Sequence, residues 1–296
     1  MATVLDPAAV ARDRWWARRP GARKAADQAC RDAIERAGLQ AADIDLLLNA
    51  GLYHDRVLSE PALAALIQED VGINPEDPHP GAHGTFSFDV ANGSCGVLSA
   101  LQIADGFLRA RTIDHALVVA SDADPGRGLA PGFPFASRGA AVVCHWEDRD
   151  RGLLGFHWAN EPPDTAQGGG LRASVAFDGR RNVLVVEQDR DFTARAAALA
   201  VEVAQAVLDE HGLRPADVDL VVANPLTAAF RSGVATGLGV AQDRFTVVGG
   251  NDQVHTAALL VALAGAQDQS RLAEARTVLL LSAGAGITCG AALVLR

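Results

Sequence analysis

The sequence predicts an α/β fold built from two similar halves related by a pseudo-twofold axis. Three observations support this: a repeated helix–turn–strand segment, a second repeated pair of strands, and a hydrophobic content of 49%. The chain of 296 residues exceeds one average domain and has enough apolar residues for a large core. We expect a first half at residues 1–160, which carries the nucleophile, and a second half at residues 161–296.

The first repeat joins the end of a helix to a buried strand. Residues 37–50 (AGLQAADIDLLLNA) resemble residues 211–224 (HGLRPADVDLVVAN), and Leu39, Asp43 and Asp45 recur 174 positions later. In each copy a glycine follows the predicted helix, which is typical of a helix C-terminus. The apolar run after it predicts a buried strand.

The second repeat is a pair of apolar strands preceded by an amphipathic helix. Ala116 corresponds to Thr277, an offset of 161 residues. Because this offset is smaller than the first, we expect a longer connection in the first half, within residues 53–84. The predicted strands are residues 115–124 and 139–146 in the first half, and residues 276–286 and 290–296 in the second.

Composition excludes several functions. The net charge of −10 repels nucleic acid and anionic membranes, so neither is an expected partner. The four cysteines form no CxxC pair, so we expect no metal or redox site. The chain lacks an apolar stretch of about 20 residues and shows no signal peptide at its start. These features predict a soluble, cytoplasmic protein.

One cysteine stands out as a candidate nucleophile. Cys95 lies in the segment DVANGSCGVL, where the strand predicted at residues 86–90 runs through a turn into a helix. Unpaired N–H groups and the partial positive charge of a helix N-terminus favour the reactive thiolate. The same N–H groups can stabilise a thioester oxyanion. We expect the other three cysteines to be buried structural residues.

The repeat also points to a partner for this thiol. An offset of 161 carries Cys95 to Thr256, so His255 lies one residue from the counterpart of the nucleophile. Equivalent helix N-termini of two halves related by a twofold axis approach a shared centre. His255 is therefore a candidate to accept the thiol proton or to stabilise an enolate. A structural histidine is the alternative.

Three segments resemble the ketoacyl synthase III family of the thiolase superfamily. They contain the nucleophile turn, the segment that normally holds a catalytic histidine, and a closing glycine-rich strand pair: residues 86–111, 217–240 and 277–296. The resemblance implies a thiolase-like fold with α-β-α-β-α layers. It also implies acyl transfer from coenzyme A or an acyl carrier protein, with no bound cofactor.

Two family positions differ here. The histidine of the family's His-Gln-Ala-Asn segment corresponds to Asn224, which still offers an amide donor. The family's asparagine falls near residues 249–255, where Asn251, Gln253 and His255 are candidates. In the family, histidine and asparagine donate to the thioester oxygen during decarboxylation of a malonyl unit, so the substitution makes ordinary condensation uncertain.

Further expectations come from the resemblance. Trp15, Arg19 and Arg23 resemble a Trp-Arg-Arg pattern that contacts the nucleotide end of coenzyme A; a solvated basic N-terminus is the alternative. Phe133 and Phe135 are candidates to shape an acyl pocket, although core packing explains them as well. The strand FSFDV is expected to pair across a homodimer interface.

The expected activity is an acyl-thioester transfer in which Cys95 carries the acyl group. Carbon–carbon condensation in fatty acid or polyketide-type biosynthesis is the leading second step. O- or N-acyl transfer in specialised metabolism is the first alternative, because the family's histidine is replaced. A catalytically degenerate partner subunit of a condensing enzyme is the second.

Overall fold

The computed structural model describes residues 1–11, 21–54, 60–74, 84–161, 171–179, 181–248 and 253–296. Its strands are β1 (Ala2–Leu5), β2 (Ala9–Val10), β3 (Leu46–Asn49), β4 (Phe86–Asp89), β5 (His115–Asp122), β6 (Arg138–Glu147), β7 (Gly152–Asn160), β8 (Leu171–Asp178), β9 (Arg181–Gln188), β10 (Leu220–Asn224), β11 (Thr277–Gly284) and β12 (Thr288–Leu295). Its helices are α1 (Ala22–Arg36), α2 (Leu63–Val71), α3 (Gly96–Arg109), α4 (Phe192–Glu210), α5 (Ala228–Leu238), α6 (Ala258–Asp268) and α7 (Arg271–Glu274).

Ten of the described strands form one mixed sheet. Nine follow the order β10-β11-β12-β7-β1-β6-β5-β3-β4, and β2 pairs with β6; β8 and β9 form a separate hairpin. The two halves of the sheet meet at β1 and β7, which pair only through Thr3 and Leu153. The remaining neighbours pair over longer stretches, so the sheet reads as two similar units joined at a narrow junction.

The pairing register confirms the internal repeat and corrects its alignment. Leu46 of β3 lies beside Ala116 of β5, and Leu220 of β10 lies beside Val278 of β11, in parallel pairs. The partner of Ala116 is therefore Val278 and not Thr277, so the second offset is 162 residues. The sequence alignment was wrong by one position because a uniform apolar strand offers no residue that fixes the register.

Glycines end the equivalent helices as the sequence predicts. Gly38 after α1 and Gly212 after α4 adopt φ of +73° and +64°, a left-handed conformation that glycine adopts without strain. The chain then reverses, and Leu39 N donates to Ile34 O at 3.1 Å. Each helix thereby delivers the chain to the start of a buried strand.

Alternating strand residues divide the core into three clusters. Leu46 and Leu48 of β3 face the central helices α3 and α6, whereas Leu47 faces α1 and α2. In the second half, Val222 of β10 faces the central helices and Val221 faces α4 and α5. The two halves of the sheet thus lie on either side of α3 and α6, with α1 and α2 outside one half and α4 and α5 outside the other. This gives layers in the order α-β-α-β-α and confirms the predicted fold class.

Two features were not anticipated. The N-terminal strand β1 pairs with β6, and the long connection at residues 53–84 contains α2. The division of the chain into two halves after residue 160 stays a proposal. The strand β7 ends at this division and pairs with β12, which belongs to the second half. Among the described residues, no helix combines the length and apolar character that a membrane crossing requires.

Candidate active site

The nucleophile turn has the predicted strand-to-helix geometry. A 3₁₀ turn, Gly93–Cys95, leads into α3, and Gly93 adopts φ of +50°. Cys95 is the N-cap residue of α3 and has no exposed surface. Its Sγ donates to Thr288 O at 3.4 Å. The helix start therefore holds the thiol inside the protein.

Burial opposes the expected activation of this thiol. The helix start was expected to favour the thiolate, but burial raises the pKa of Cys95 to about 12. The thiol is protonated at neutral pH, since a buried charge without a partner is strongly disfavoured. Reaction of Cys95 as a nucleophile therefore requires a base beside it.

The ring of His255 lies beside the nucleophile turn. Its Nε2 lies 4.0 Å from the position that a Cβ on Gly93 would occupy, so the ring faces the nucleophile turn. The helix α6 begins after Ala257, so Ala257 is the counterpart of Cys95. His255 lies two residues before that counterpart, rather than the one expected, and corresponds to Gly93.

The other nitrogen of His255 is bound by a buried carboxylate. Nδ1 lies 3.2 Å from Oδ2 of Asp122, at the carboxyl end of β5. With Asp122 ionised, the Nδ1 proton points at the carboxylate and leaves Nε2 of the neutral ring as an acceptor. This pairing fixes the tautomer that a general base requires.

Asp122 is almost completely buried and densely hydrogen-bonded. Its Oδ1 accepts from the backbone N–H groups of Leu52 at 3.1 Å and Tyr53 at 2.8 Å. Its Oδ2 also accepts from the N–H of Thr256 at 2.8 Å and from its hydroxyl at 2.6 Å. Burial alone would raise the pKa of Asp122, but the hydrogen bonds from His255 and these groups outweigh it, and the pKa is lowered.

Sequence reasoning missed Asp122, although a signal was present. It is a carboxylate at the carboxyl end of a strand whose residues 116–120 are all apolar, and its counterpart in β11 is Gly284. An added Cβ at Gly284 would lie 3.2 Å from Cys95 Sγ. The glycine leaves space for the thiol in one half, where the other half places a carboxylate.

Asn224 also reaches the nucleophile turn. It ends β10, is 1% exposed, and its Nδ2 donates to Ser94 O at 2.7 Å. This amide supports the backbone next to Cys95. The carboxyl ends of β5, β10 and β11 thus converge on one point, as the pseudo-twofold arrangement predicts.

Aromatic side chains cover His255 on one face. Phe135 stacks on its ring with centroids 4.1 Å apart and planes at 14°, and Tyr53 lies 5.5 Å from it. Phe133 packs edge-on against the rings of Tyr53 and Phe135. Phe133 and Phe135 were candidates to shape an acyl pocket, with core packing as the alternative; these rings pack together, and Cys95 is enclosed.

Several predicted site residues lie elsewhere or cannot be placed. Trp15, Arg19 and Asn251 fall outside the described residues. Arg23 lies on α1, and its Nη2 donates to Asp70 Oδ1 of α2 at 2.7 Å.

Gln253 is exposed, and its carbonyl accepts from Ala136 N at 3.0 Å. The other cysteines, Cys30, Cys144 and Cys289, are fully buried, as expected. Within the described ranges, no cluster of three or more His, Cys, Asp or Glu residues suits a metal ion.

The fold matches solved structures of the thiolase type over the full chain. OleA from Xanthomonas campestris, solved with bound lauric acid and lauroyl-CoA, aligns with a TM-score of 0.81 at 18% identity, covering 100% of this chain and 99% of that one. The 3-oxoacyl-[acyl-carrier-protein] synthase III of Aquifex aeolicus aligns at 0.79 and 20% identity, covering 99% and 100%. At these identities the similarity establishes the fold.

Sequence similarity defines the family. Residues 208–295 match the profile of the 3-oxoacyl-[acyl-carrier-protein] synthase III C-terminal region. A β-ketoacyl-[acyl-carrier-protein] synthase III of Sphingopyxis alaskensis is 30% identical over 275 residues, covering 90% of this chain and 81% of the relative. One of Rhizorhabdus wittichii is 28% identical over 289 residues, covering 91% and 82%. The protein is a condensing or acyl-transfer enzyme by class, and it belongs to the β-ketoacyl-[acyl-carrier-protein] synthase III family.

Proposed function

We propose that the protein transfers an acyl group from a thioester of coenzyme A or of an acyl carrier protein through Cys95. The observation that carries this proposal is the alignment of Asp122, His255 and the nucleophile turn. Asp122 holds Nδ1 of His255 at 3.2 Å, and Nε2 faces the turn that contains Cys95. A buried thiol, a base and a group that orients the base are the parts of a nucleophilic acyl transfer.

The first half-reaction follows from these positions. His255 Nε2 accepts the thiol proton as Cys95 Sγ attacks the thioester carbonyl carbon, and the carbonyl oxygen takes up the electron pair. The tetrahedral intermediate then expels the donor thiolate, which takes the proton from His255. Asp122 stays ionised and stabilises the transient imidazolium. The products are an acyl-Cys95 thioester and the free donor thiol.

Entry of the acyl group requires movement of the aromatic cluster. Cys95 is enclosed, and Tyr53, Phe133 and Phe135 pack around His255. Tyr53 stays neutral, because burial first and the charge of Asp122 second raise the pKa of its phenol to about 12. We propose that these rings separate to admit the acyl chain and then exclude water from the thioester.

Carbon–carbon condensation is the second step that we propose, in line with the family. His255, which has returned the thiol proton to the donor, would take up one proton from solvent and donate it in a hydrogen bond to the malonyl thioester oxygen, where negative charge develops as CO₂ leaves. The resulting carbanion would attack the acyl carbon, the bond to Cys95 Sγ would break, and the released thiolate would take the proton from His255. Asn224 would support this by fixing the Ser94 carbonyl and hence the turn.

O- or N-acyl transfer is the second candidate, and the position of Asn224 favours it. Asn224 stands where the family has a histidine, and its amide donates to Ser94 O at 2.7 Å. His255 is therefore the single imidazole among the described residues of the site. A base held by a carboxylate is suited to removing a proton from an alcohol or amine acceptor. In both candidates the acyl enzyme forms first.

Other proposals concern partners and assembly. β4 is an edge strand of the described sheet, and Phe86 on it is 60% exposed, which supports a homodimer through this edge. Light scattering coupled to size exclusion tests this, and a stable monomer contradicts it. Trp15, Arg19 and Arg23 remain proposed contacts for coenzyme A, although Arg23 would first have to leave Asp70. A cytoplasmic location also remains a proposal.

Product analysis separates these possibilities. The protein is incubated with acyl-coenzyme A, release of the coenzyme A thiol is measured, and then malonyl thioester, an alcohol or an amine is added. A β-ketoacyl product supports condensation, and an ester or amide supports the second candidate. Absence of thiol release from a folded protein supports a catalytically degenerate partner subunit and contradicts the proposal. Cys95→Ser is expected to abolish thiol release, and its matched control is Cys144→Ser, since Cys144 is buried in β6, away from the site.

A further inference from the structure

A cavity of about 640 Å³ lies at the opposite end of the strands from Cys95. Between Val278 at this cavity and Gly284 beside Cys95, β11 advances by six residues, or roughly 20 Å. The cavity is therefore separate from the proposed active site. Its volume is within the ~300–1,000 Å³ typical of small-molecule sites.

The interior of this cavity is apolar. Five buried aliphatic side chains from α6, α7, β11 and β12 form its floor: Leu263, Leu272, Val278, Leu280 and Val294. An apolar surface of this kind gains free energy by covering a hydrocarbon chain. The interior thus suits an aliphatic group rather than a polar one.

Charged side chains also line the cavity, and four of them form pairs. His145 lies 3.0 Å from Asp6, and Arg151 donates twice to Glu147, each time at 2.9 Å. Three further charged residues, all exposed, also line the cavity.

Two of those three are arginines. The backbones of Arg276 and Arg296 are adjacent, since Arg296 N donates to Arg276 O at 2.9 Å. Within the described residues, neither guanidinium contacts a carboxylate; Arg296 donates only to Leu272 O, at 2.8 Å. Glu274 supplies one opposing charge. The guanidinium groups of the two arginines are donors that suit an anionic head group.

The internal repeat shows that the cavity is a departure from the first half. The register of β12 on β11 repeats that of β6 on β5, so Arg296 corresponds to Trp146. Trp146 packs against the central core, and Arg111 lies 4.8 Å above its ring. The first half fills this position with an indole, whereas the second half leaves a cavity flanked by guanidinium groups.

We propose that this cavity binds a fatty acid, with the hydrocarbon chain on the aliphatic floor and the carboxylate at Arg276 and Arg296. The proposal is independent of the chemistry at Cys95. It requires both parts of the ligand: acetate lacks the chain, and decanol lacks the charge.

Titration calorimetry with decanoate tests this. Decanoate is expected to bind, whereas acetate and decanol bind at least about tenfold more weakly. The double variant Arg276→Gln, Arg296→Gln changes exposed residues and is expected to weaken decanoate binding about tenfold or more. The matched control Arg214→Gln changes an exposed arginine that does not line the cavity, and it is expected to bind like the unmodified protein.

Three results would overturn the proposal. Equal binding of decanoate to the double variant would place the fatty acid elsewhere, including at the active site. Equal binding of decanol would remove the role of the two arginines. Binding of decanoyl-coenzyme A without binding of decanoate would replace the carboxylate by a phosphate-bearing head group.

Discussion

The substitution Asp122→Asn tests the role of the carboxylate that holds His255. The variant keeps Oδ1 as an acceptor for the N–H groups of Leu52 and Tyr53, but it places an NH₂ group where Oδ2 stood. That group can donate to Nδ1 of His255, which shifts the proton to Nε2 and removes the base. We expect acylation of Cys95 to slow by ~10²–10⁴-fold.

The same substitution has a calculable structural effect. The N–H of Thr256, which donates to Oδ2 at 2.8 Å, loses its acceptor, while the hydroxyl of Thr256 can reverse its role. One buried N–H without a partner costs about 1–3 kcal/mol of unfolding free energy. The protein should remain folded, with a lower midpoint in chemical denaturation.

The assay is the rate of thiol release in a single turnover, measured beside the unfolding transition. Asp89→Asn is the control: this carboxylate also accepts several hydrogen bonds, from Leu63 N, Ala64 N and Asn49 Nδ2, but it does not contact His255. The control should lose stability and keep its acylation rate. An Asp122→Asn variant that acylates within about threefold of the unmodified protein would refute the reasoning.

Three further predictions follow from other contacts. Gly284→Ala places a Cβ 3.2 Å from Cys95 Sγ and should slow acylation about tenfold or more in the same assay, whereas Gly106→Ala, with open space around it, should not. Burial first, and the charge of a neighbouring carboxylate second, raise the pKa of Asp27 to about 7, so the native state loses stability as pH rises from about 4 to 7. Asp27→Asn removes this charge and should therefore stabilise the protein more at pH 8 than at pH 5, as measured by urea denaturation. Asn224→Ala removes a 2.7 Å hydrogen bond to the nucleophile turn and should lower unfolding free energy by about 1–3 kcal/mol and slow acylation, both measured on one preparation.

Much of the fold was predictable because the two halves of the chain repeat the same order of elements. Apolar strands and capping glycines recur in the same order, and the turn at Cys95 joins a strand to a helix. The position of His255 near this turn also followed from the repeat. The register error of one residue, which misplaced His255 by one position, arose because strand pairing and not strand composition sets the offset.

The parts that sequence could not supply depend on contacts between distant segments. Asp122 lies 133 positions from His255, and its role emerges only when β5 and the start of α6 meet. The raised pKa of Cys95 depends on enclosure by residues from both halves, which no local pattern records. The packing of Tyr53 and Phe135 on His255 likewise joins segments that are separate along the chain.

The central claim is that Cys95 carries the acyl group. The most direct measurement is intact mass followed by peptide mapping after brief incubation with acyl-coenzyme A. We predict one acyl adduct per chain on the peptide that contains Cys95, and none in His255→Ala over the same time. An adduct on Cys30, Cys144 or Cys289, or a folded protein that remains unmodified, would contradict it.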